Sequence, residues 1–167
     1  MNTPKTELKK FKELIENIKT GILITHSPMG ELNGRPMAIT HVDLYGGLWF
    51  FTENFSNKVK EIAKNRQVYI SFAHTPDNFY AFVSGIATMV EDKKKMEELW
   101  TPAMRDWFPG GLEQPGISLL KVEPQEVEYW EGSSSKIVIL FKMLSAMFKG
   151  ETYTDGHHGK LELKSIY

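Results

Sequence analysis

Residues 46–62 read GGLWFFTENFSNKVKEI, and the fold is decided there. The large apolar residues Leu48 to Thr52 form a strand, which stops at a polar turn. A helix then runs from Ser56 to Asn65, with Val59, Ile62 and Ala63 on one face and Asn65 placed to close it in a left-handed conformation. Lys58 falls in the first turn, where a cation opposes the helix macrodipole. An anion held between backbone N–H groups, the Ser56 hydroxyl and the Lys58 ammonium would remove that conflict, and phosphate is the natural candidate. The segment alone also admits a plainer reading, in which Ser56 is an N-cap and Lys58 points into solvent.

Upstream, Tyr45-Gly46-Gly47 is a hairpin turn joining this strand to a strand in PMAITHV. GILITHS precedes it as a strand, and SPMGELNGRP is a turn-rich connection. Before that, Leu8, Phe11, Leu14, Ile15 and Ile18 recur at helical spacing, which predicts a helix lidding the core. Thr3 is its N-cap, Pro4 lies in its first turn and Gly21 is its C-cap. Downstream, QVYISFAH and FYAFVSGIATMVE are strands, turned at Asp77-Asn78, with Gly85 marking a bulge. Asp92 caps a charged helix in DKKKMEELW. WTPAMRDWFPGGLEQPG is a short helical piece and a loop. ISLLKVEPQEVEYWEG is a strand pair or bent strand broken at Pro124. KIVILFKMLSAMFKG, around Ile137–Phe148, is read as a helix that needs cover from a partner or a groove outside the barrel, and the last residues as a loosely ordered tail. Short connections make the strands mostly antiparallel, and about six of them close most readily into a small barrel, since closure removes edges.

Composition narrows the function. The 167 residues suit one domain with a real core. A formal net charge of -1 offers no basic field for nucleic acid. With no cysteine, disulfides, thiolate metal sites and cysteine nucleophiles are excluded. No stretch has the pattern of a signal peptide or a membrane span, so a soluble, cytoplasmic protein is expected. His26, His41 and His74 fall on separate strands without metal-site spacing, and no metal is expected. His157-His158 lies in the tail. Walker-type loops, Gly-x-Gly-x-x-Gly and His-Glu-x-x-His are missing.

A second cation supports the phosphate reading. Arg35, in Asn33-Gly34-Arg35-Pro36-Met37, enters a strand placed beside Leu48–Thr52 by the hairpin. A guanidinium there, next to Thr52 and Lys58, completes a clamp suited to paired donation.

Taken together, GRPMAIT, GGLWFFTENFSNKVKEIAKNRQVYISF and WTPAMRDWFPGGLEQPGISLLKVEPQEVEYWEG resemble the pyridoxamine 5'-phosphate oxidase-like, flavin-binding split-barrel superfamily, and within it the general stress protein branch. The Trp-Phe-Pro-Gly-Gly loop and the Glu-Tyr-Trp ending belong to the likeness, which runs from about Phe11 to Gly132. It implies a mainly β protein with flanking helices, a six-stranded antiparallel split barrel. Residues 1–132 would form the flavin-binding barrel with its N-terminal helix, and 133–167 a C-terminal helix and tail of the same domain. It further implies a homodimer with FMN at the subunit interface, FAD or a deazaflavin being alternatives. By motif match, Arg35 and Lys58 would hold the phosphate, aided by Thr52, Ser56 and Asn57. Main chain at Met37, Ala38 and Phe51 would face the isoalloxazine, and Tyr80, Trp107 and Trp130 would wall the pocket.

The chain departs from the true oxidases in two places. It has Ser-Asn-Lys where they have Ser-Arg-Lys, and no arginine follows Arg105, so their closing Arg-Leu-x-Pro grip on pyridoxine is missing. The expectation is therefore an FMN-dependent oxidoreductase of stress response, drawing on a nicotinamide donor, and not a pyridoxine phosphate oxidase. The alternatives are a non-enzymatic flavin-binding or redox-sensing stress protein, and a cofactor-free interaction barrel. No catalytic acid or base is named.

Overall fold

The computed structural model describes residues 4–130 and 138–139. Apolar residues every third or fourth position make Pro4–Ile18 an amphipathic helix, α1, which buries Phe11 and Ile15 against one end of the sheet. The strands follow as β1 (Thr20–His26), β2 (Leu32–Ala38), β3 (His41–Val42) and β4 (Leu48–Glu53). Helix α2 (Asn57–Lys64) leads to β5 (Gln67–His74) and β6 (Phe79–Val90). Helix α3 (Lys93–Leu99) and two short 3-10 turns (Pro102–Asp106 and Gly111–Glu113) precede β7 (Ile117–Trp130) and β8 (Val138–Ile139).

All pairings are antiparallel, in the order β2-β1-β5-β6-β7-β4-β3, with β8 added to β7. β2 and β3 are successive halves of one bent strand. The first half pairs with β1, and the second pairs with β4 after Thr40 N–H donates to the Trp49 carbonyl at 2.9 Å. Counted as one, they close a ring of six strands, a split β-barrel. Alternate residues of β5 and β6 point inward, so Val68, Ile70, Val83 and Ala87 fill the interior with Phe50 and Leu120. α1 seals the ring where β3 runs out: Glu16 accepts from Val42 N–H at 3.2 Å, and the Lys12 ammonium donates to the Val42 carbonyl.

β4 is buried on both faces. Phe50 faces the barrel, while Trp49 and Phe51 face a second apolar cluster built from Leu99, Met104, Phe108, Ile117 and Leu119. That cluster seats α3 and the 3-10 turns on the outside of the barrel. It also explains why the β4 sequence is a continuous apolar run rather than an alternating one.

Several expectations are corrected. The left-handed residue after α1 is Lys19 (φ 64°), not Gly21. Gly21 instead lies within β1, where a Cβ would come within 2.4 Å of the Phe72 ring. Asn65 ends α2 in extended conformation (φ -140°), and Ala63 is exposed; the buried residues of α2 are Glu61 and Ile62. β7 is one 14-residue strand, unbroken at Pro124. Gly85 does mark a register shift, opposite Pro124. Val138 and Ile139 pair as strand with β7 rather than starting a helix. The rest of the Ile137–Phe148 helix, the Thr3 cap and the tail with His157-His158 lie outside the described residues.

Candidate functional site

The bend between β2 and β3 brings the end of β2 against β4, and α2 starts four residues after β4 stops. These three elements surround a cavity of ≈ 260 Å³. Arg35 to Ala38 line it from β2, Phe51 to Glu53 from β4, and Lys58 from α2. Met104, Trp107 and Phe108 close the outer side from the loop after α3. Phe51 anchors that loop through edge contacts with Trp100 (5.2 Å between centroids) and Phe108 (6.2 Å). Trp107 remains 56% exposed, so the outer wall is open to whatever covers it.

The cavity is polar at the α2 end. Thr52 Oγ1 and Ser56 Oγ are both buried and without a hydrogen-bond partner. Ser56 occupies the N-cap position of α2, yet its side chain makes no cap bond, and the first turn carries no acidic residue. Lys58 takes part in no hydrogen bond or ion pair among the described residues. Burial first, and then the nearby Arg35 charge, lower its pKa below the usual lysine value, with Glu53 partly offsetting them. Two buried hydroxyls without partners and a half-buried ammonium without an ion pair are costly arrangements. An anion bound there would satisfy all three.

Arg35 is anchored from behind. Its Nη2 lies 3.0 Å from Glu61 Oε2, and its Nη1 donates to Thr25 Oγ1. Thr25 in turn donates to Glu61 Oε2, and Asn33 Nδ2 donates to Glu61 Oε1 at 2.6 Å. Burial pushes the Glu61 pKa up, but the bonds from Thr25, Asn33 and Arg35 outweigh it and hold the carboxyl below the usual range.

The cavity thus gathers Arg35, Met37, Ala38, Phe51, Thr52, Lys58 and Trp107 from the residues singled out in the sequence. Ser56 and Asn57 stand at the start of α2 beside it, with Asn57 exposed. Tyr80 and Trp130 do not line it; they are cross-strand partners on β6 and β7, and Tyr80 is 40% exposed. Sequence reading passed over Pro36, Glu53, Met104, Phe108 and Glu61. Met104 and Phe108 carried a usable signal, since both flank Trp107 in an aromatic-rich loop. Glu61 carried none, because its partners are 26 to 36 residues away in sequence. Among the described residues no three His, Cys, Asp or Glu side chains are grouped to hold a metal, and no helix is long and apolar enough to cross a membrane.

Comparison with known proteins agrees with this architecture. A Clostridium acetobutylicum protein related to general stress protein 26 of B. subtilis, of the pyridoxinephosphate oxidase family, superposes with a TM-score of 0.70 at 20% identity, covering 83% of this chain and 98% of that one. The general stress FMN/FAD binding protein of Xanthomonas citri gives 0.66 at 23% identity, covering 78% and 92%. At these identities the likeness shows the fold. Protein bli-3 of Neurospora crassa is 28% identical over 112 residues, which is 62% of this chain and 54% of that protein, so the chain spans about half the length of this relative. The family model for pyridoxamine 5'-phosphate oxidase-like proteins matches residues 6–154. The chain belongs to the pyridoxamine 5'-phosphate oxidase-like family.

Proposed function

We propose that the chain binds a flavin, FMN being the preferred form, and works with it as an oxidoreductase of the general stress protein type. The observation that carries this reading is the set of unsatisfied polar groups at the α2 end of the cavity: Thr52 Oγ1 in its lining and Ser56 Oγ beside it, both without partners, and Lys58 in the lining without an ion pair. A phosphomonoester offers acceptors to both hydroxyls and a counter-charge to Lys58 and Arg35. FMN carries that group at the end of a flexible ribityl chain, which leaves the ring to lie along β2 and β4.

In this reading Arg35 and Lys58 bind the phosphate and fix its position, with Thr52 and Ser56 donating to it and Asn57 contributing from the helix start. Main chain at Met37, Ala38 and Phe51 orients the ring. Met104, Phe108 and Trp107 exclude water from one side of it. The flavin, when bound, supplies the electron or hydride transfer.

A cavity of ≈ 260 Å³ is small for a whole nucleotide, since small-molecule pockets usually span about 300–1,000 Å³. A second copy of the chain is the proposed cover. The outer sheet face supports it: Ile22, Tyr80 and Phe82 are each about two-fifths exposed on β1 and β6. Tyr80 and Trp130 would then wall the partner's site. A nicotinamide would be the electron donor.

The test is titration with FMN and with riboflavin, followed by flavin fluorescence. Retained FMN at one per chain, bound well above riboflavin, and lost in Arg35→Ala/Lys58→Ala, is the expected result. FMN binding unchanged in that double variant would overturn the clamp. Steady NAD(P)H consumption with an added acceptor would then separate an oxidoreductase from a flavin-binding protein without turnover.

A further inference from the structure

Glu61 is the one charged residue that the described part of the molecule buries, with 7% of its surface exposed. A buried carboxylate is tolerated only when paired and hydrogen-bonded. Here three side chains meet that requirement, and they come from outside its own helix. Thr25 lies on β1, and Asn33 and Arg35 on β2. The effect is geometric as well as electrostatic. Glu61 and Lys58 are three residues apart on α2, so they share one side of the helix. Fixing Glu61 to Arg35 therefore fixes the helix start carrying Ser56 and Lys58 against the strand carrying Arg35. Both terminal nitrogens of Arg35 are held on the barrel side, which removes the rotamer freedom of a long side chain before any ligand arrives.

We propose that Glu61 is the positioning residue of the anion cradle: it bolts α2 to β2 so that Arg35 and the Ser56–Lys58 segment present themselves to one and the same phosphate. The inference rests on the flavin reading above. It makes a prediction opposite in sign to simple charge counting. A carboxylate near a phosphate repels it, so a Glu61 that acts only through its charge would give tighter FMN binding once neutralised. A Glu61 that positions the clamp gives weaker binding.

The experiment uses the full chain and the variant Glu61→Gln, with Asn33→Ala as a milder change that frees one Glu61 oxygen and leaves the arginine pair in place. Thermal melting establishes that each is folded. FMN and riboflavin serve as probes with the same ring, with and without phosphate. The expected result is FMN binding weakened roughly tenfold or more in Glu61→Gln and severalfold in Asn33→Ala, with riboflavin binding unchanged. Arginine side-chain NMR of the flavin-free protein gives a readout without ligand. The chain has three arginines, Arg35, Arg66 and Arg105. Hindered rotation of the Arg35 guanidinium should be visible in the wild type and lost in Glu61→Gln, while Arg66, bonded to the Ala87 carbonyl and Thr88, stays as it was.

FMN binding unchanged or tighter in folded Glu61→Gln would overturn the proposal. A parallel loss of FMN and riboflavin would make Glu61 a purely structural residue and would also overturn it. A wild type that binds neither probe would overturn the flavin reading itself, and the positioning role with it, before any variant is made.

Discussion

Thr52 on β4 and Ser118 on β7 face each other in the ladder, both are buried, and only Ser118 has a partner for its hydroxyl. Ser118 donates to the Val90 carbonyl at 3.2 Å, whereas Thr52 Oγ1 is unsatisfied beside the cavity. A β-branched residue suits a strand, but valine would serve that purpose without the buried hydroxyl. Thr52→Val should therefore raise the stability of the flavin-free protein by about 1 kcal/mol, since it removes an unpaired polar group at nearly constant shape. The same change should weaken FMN binding by about tenfold, the worth of one hydrogen bond to a charged group. Urea unfolding and FMN titration of the one variant check both halves.

The N-cap residues of α2 and α3 behave differently. Asp92 caps α3 by accepting from Lys95 N–H at 3.0 Å; Ser56 precedes α2 with no cap bond. Asp92→Ala is expected to cost about 1 kcal/mol of stability, the usual loss for a working cap. Ser56→Ala is expected to stay within about 0.5 kcal/mol, as for a substitution that breaks nothing. Its effect should appear in FMN affinity instead. A stability loss for Ser56→Ala equal to that for Asp92→Ala would mean that the hydroxyl serves the helix and not a ligand.

The barrel was legible because its signals are local. Period-two alternation in QVYISFAH, the Gly46-Gly47 turn and the polar start of α2 are each read within a few residues. The closeness of Arg35, Thr52 and Lys58 followed from one hairpin. What escaped depends on distant partners. Gly21 has the spacing of a helix cap, but its real constraint is the Phe72 ring on the neighbouring β5. Pro124 should interrupt a strand, yet it sits after Val122, the last residue of β7 paired with β4, and before Glu128, the first paired with β8. Among the described residues no strand pairs with Pro124 on that flank, and on the other side the ladder to β6 continues through the register shift at Gly85, so β7 runs on. Glu61 shares its helix with Lys58, Lys60 and Lys64, and nothing in that local sequence marks it for burial. Only the folded barrel brings Thr25, Asn33 and Arg35 to it.

Glu61 also sets an acid limit. Its carboxyl titrates lower in the folded protein than its ordinary value of 4.5, despite burial, because three donors hold the charged form. The unfolded chain thus binds this proton more readily. The stability contributed by the charged form is complete above pH 4.5 and is lost as the pH falls through the lower, folded value. The difference in urea midpoint between wild type and Glu61→Gln should accordingly be constant near neutrality and shrink with acidification below 4.5. A difference independent of pH over that range would show that the pairing with Arg35 adds nothing through charge.

Lys58 shifts in the same direction, but for a lysine the lower pKa disfavours the charged form, and this links stability to ligand. Burial and the Arg35 charge lower its pKa from 10.5, so between the folded value and 10.5 the unfolded chain holds the proton and the folded chain does not. Stability from this group therefore rises with pH across that window. Replacing the cation with an apolar side chain, Lys58→Met, should raise the melting temperature of the flavin-free protein at neutral pH, because a half-buried charge with no ion pair is removed. A bound phosphate reverses the balance. Its negative charge favours the ammonium, so FMN binding should take up protons at alkaline pH, between the lowered value of the free protein and the higher value of the complex, and its affinity should fall as the pH rises through that range. Calorimetry in two buffers of different ionisation enthalpy reads the proton uptake directly. Lys58→Met should abolish the uptake and weaken FMN by about tenfold or more, while leaving riboflavin unaffected. Uptake that persists in Lys58→Met would assign the proton to another group, and an unchanged FMN affinity would remove Lys58 from the cradle.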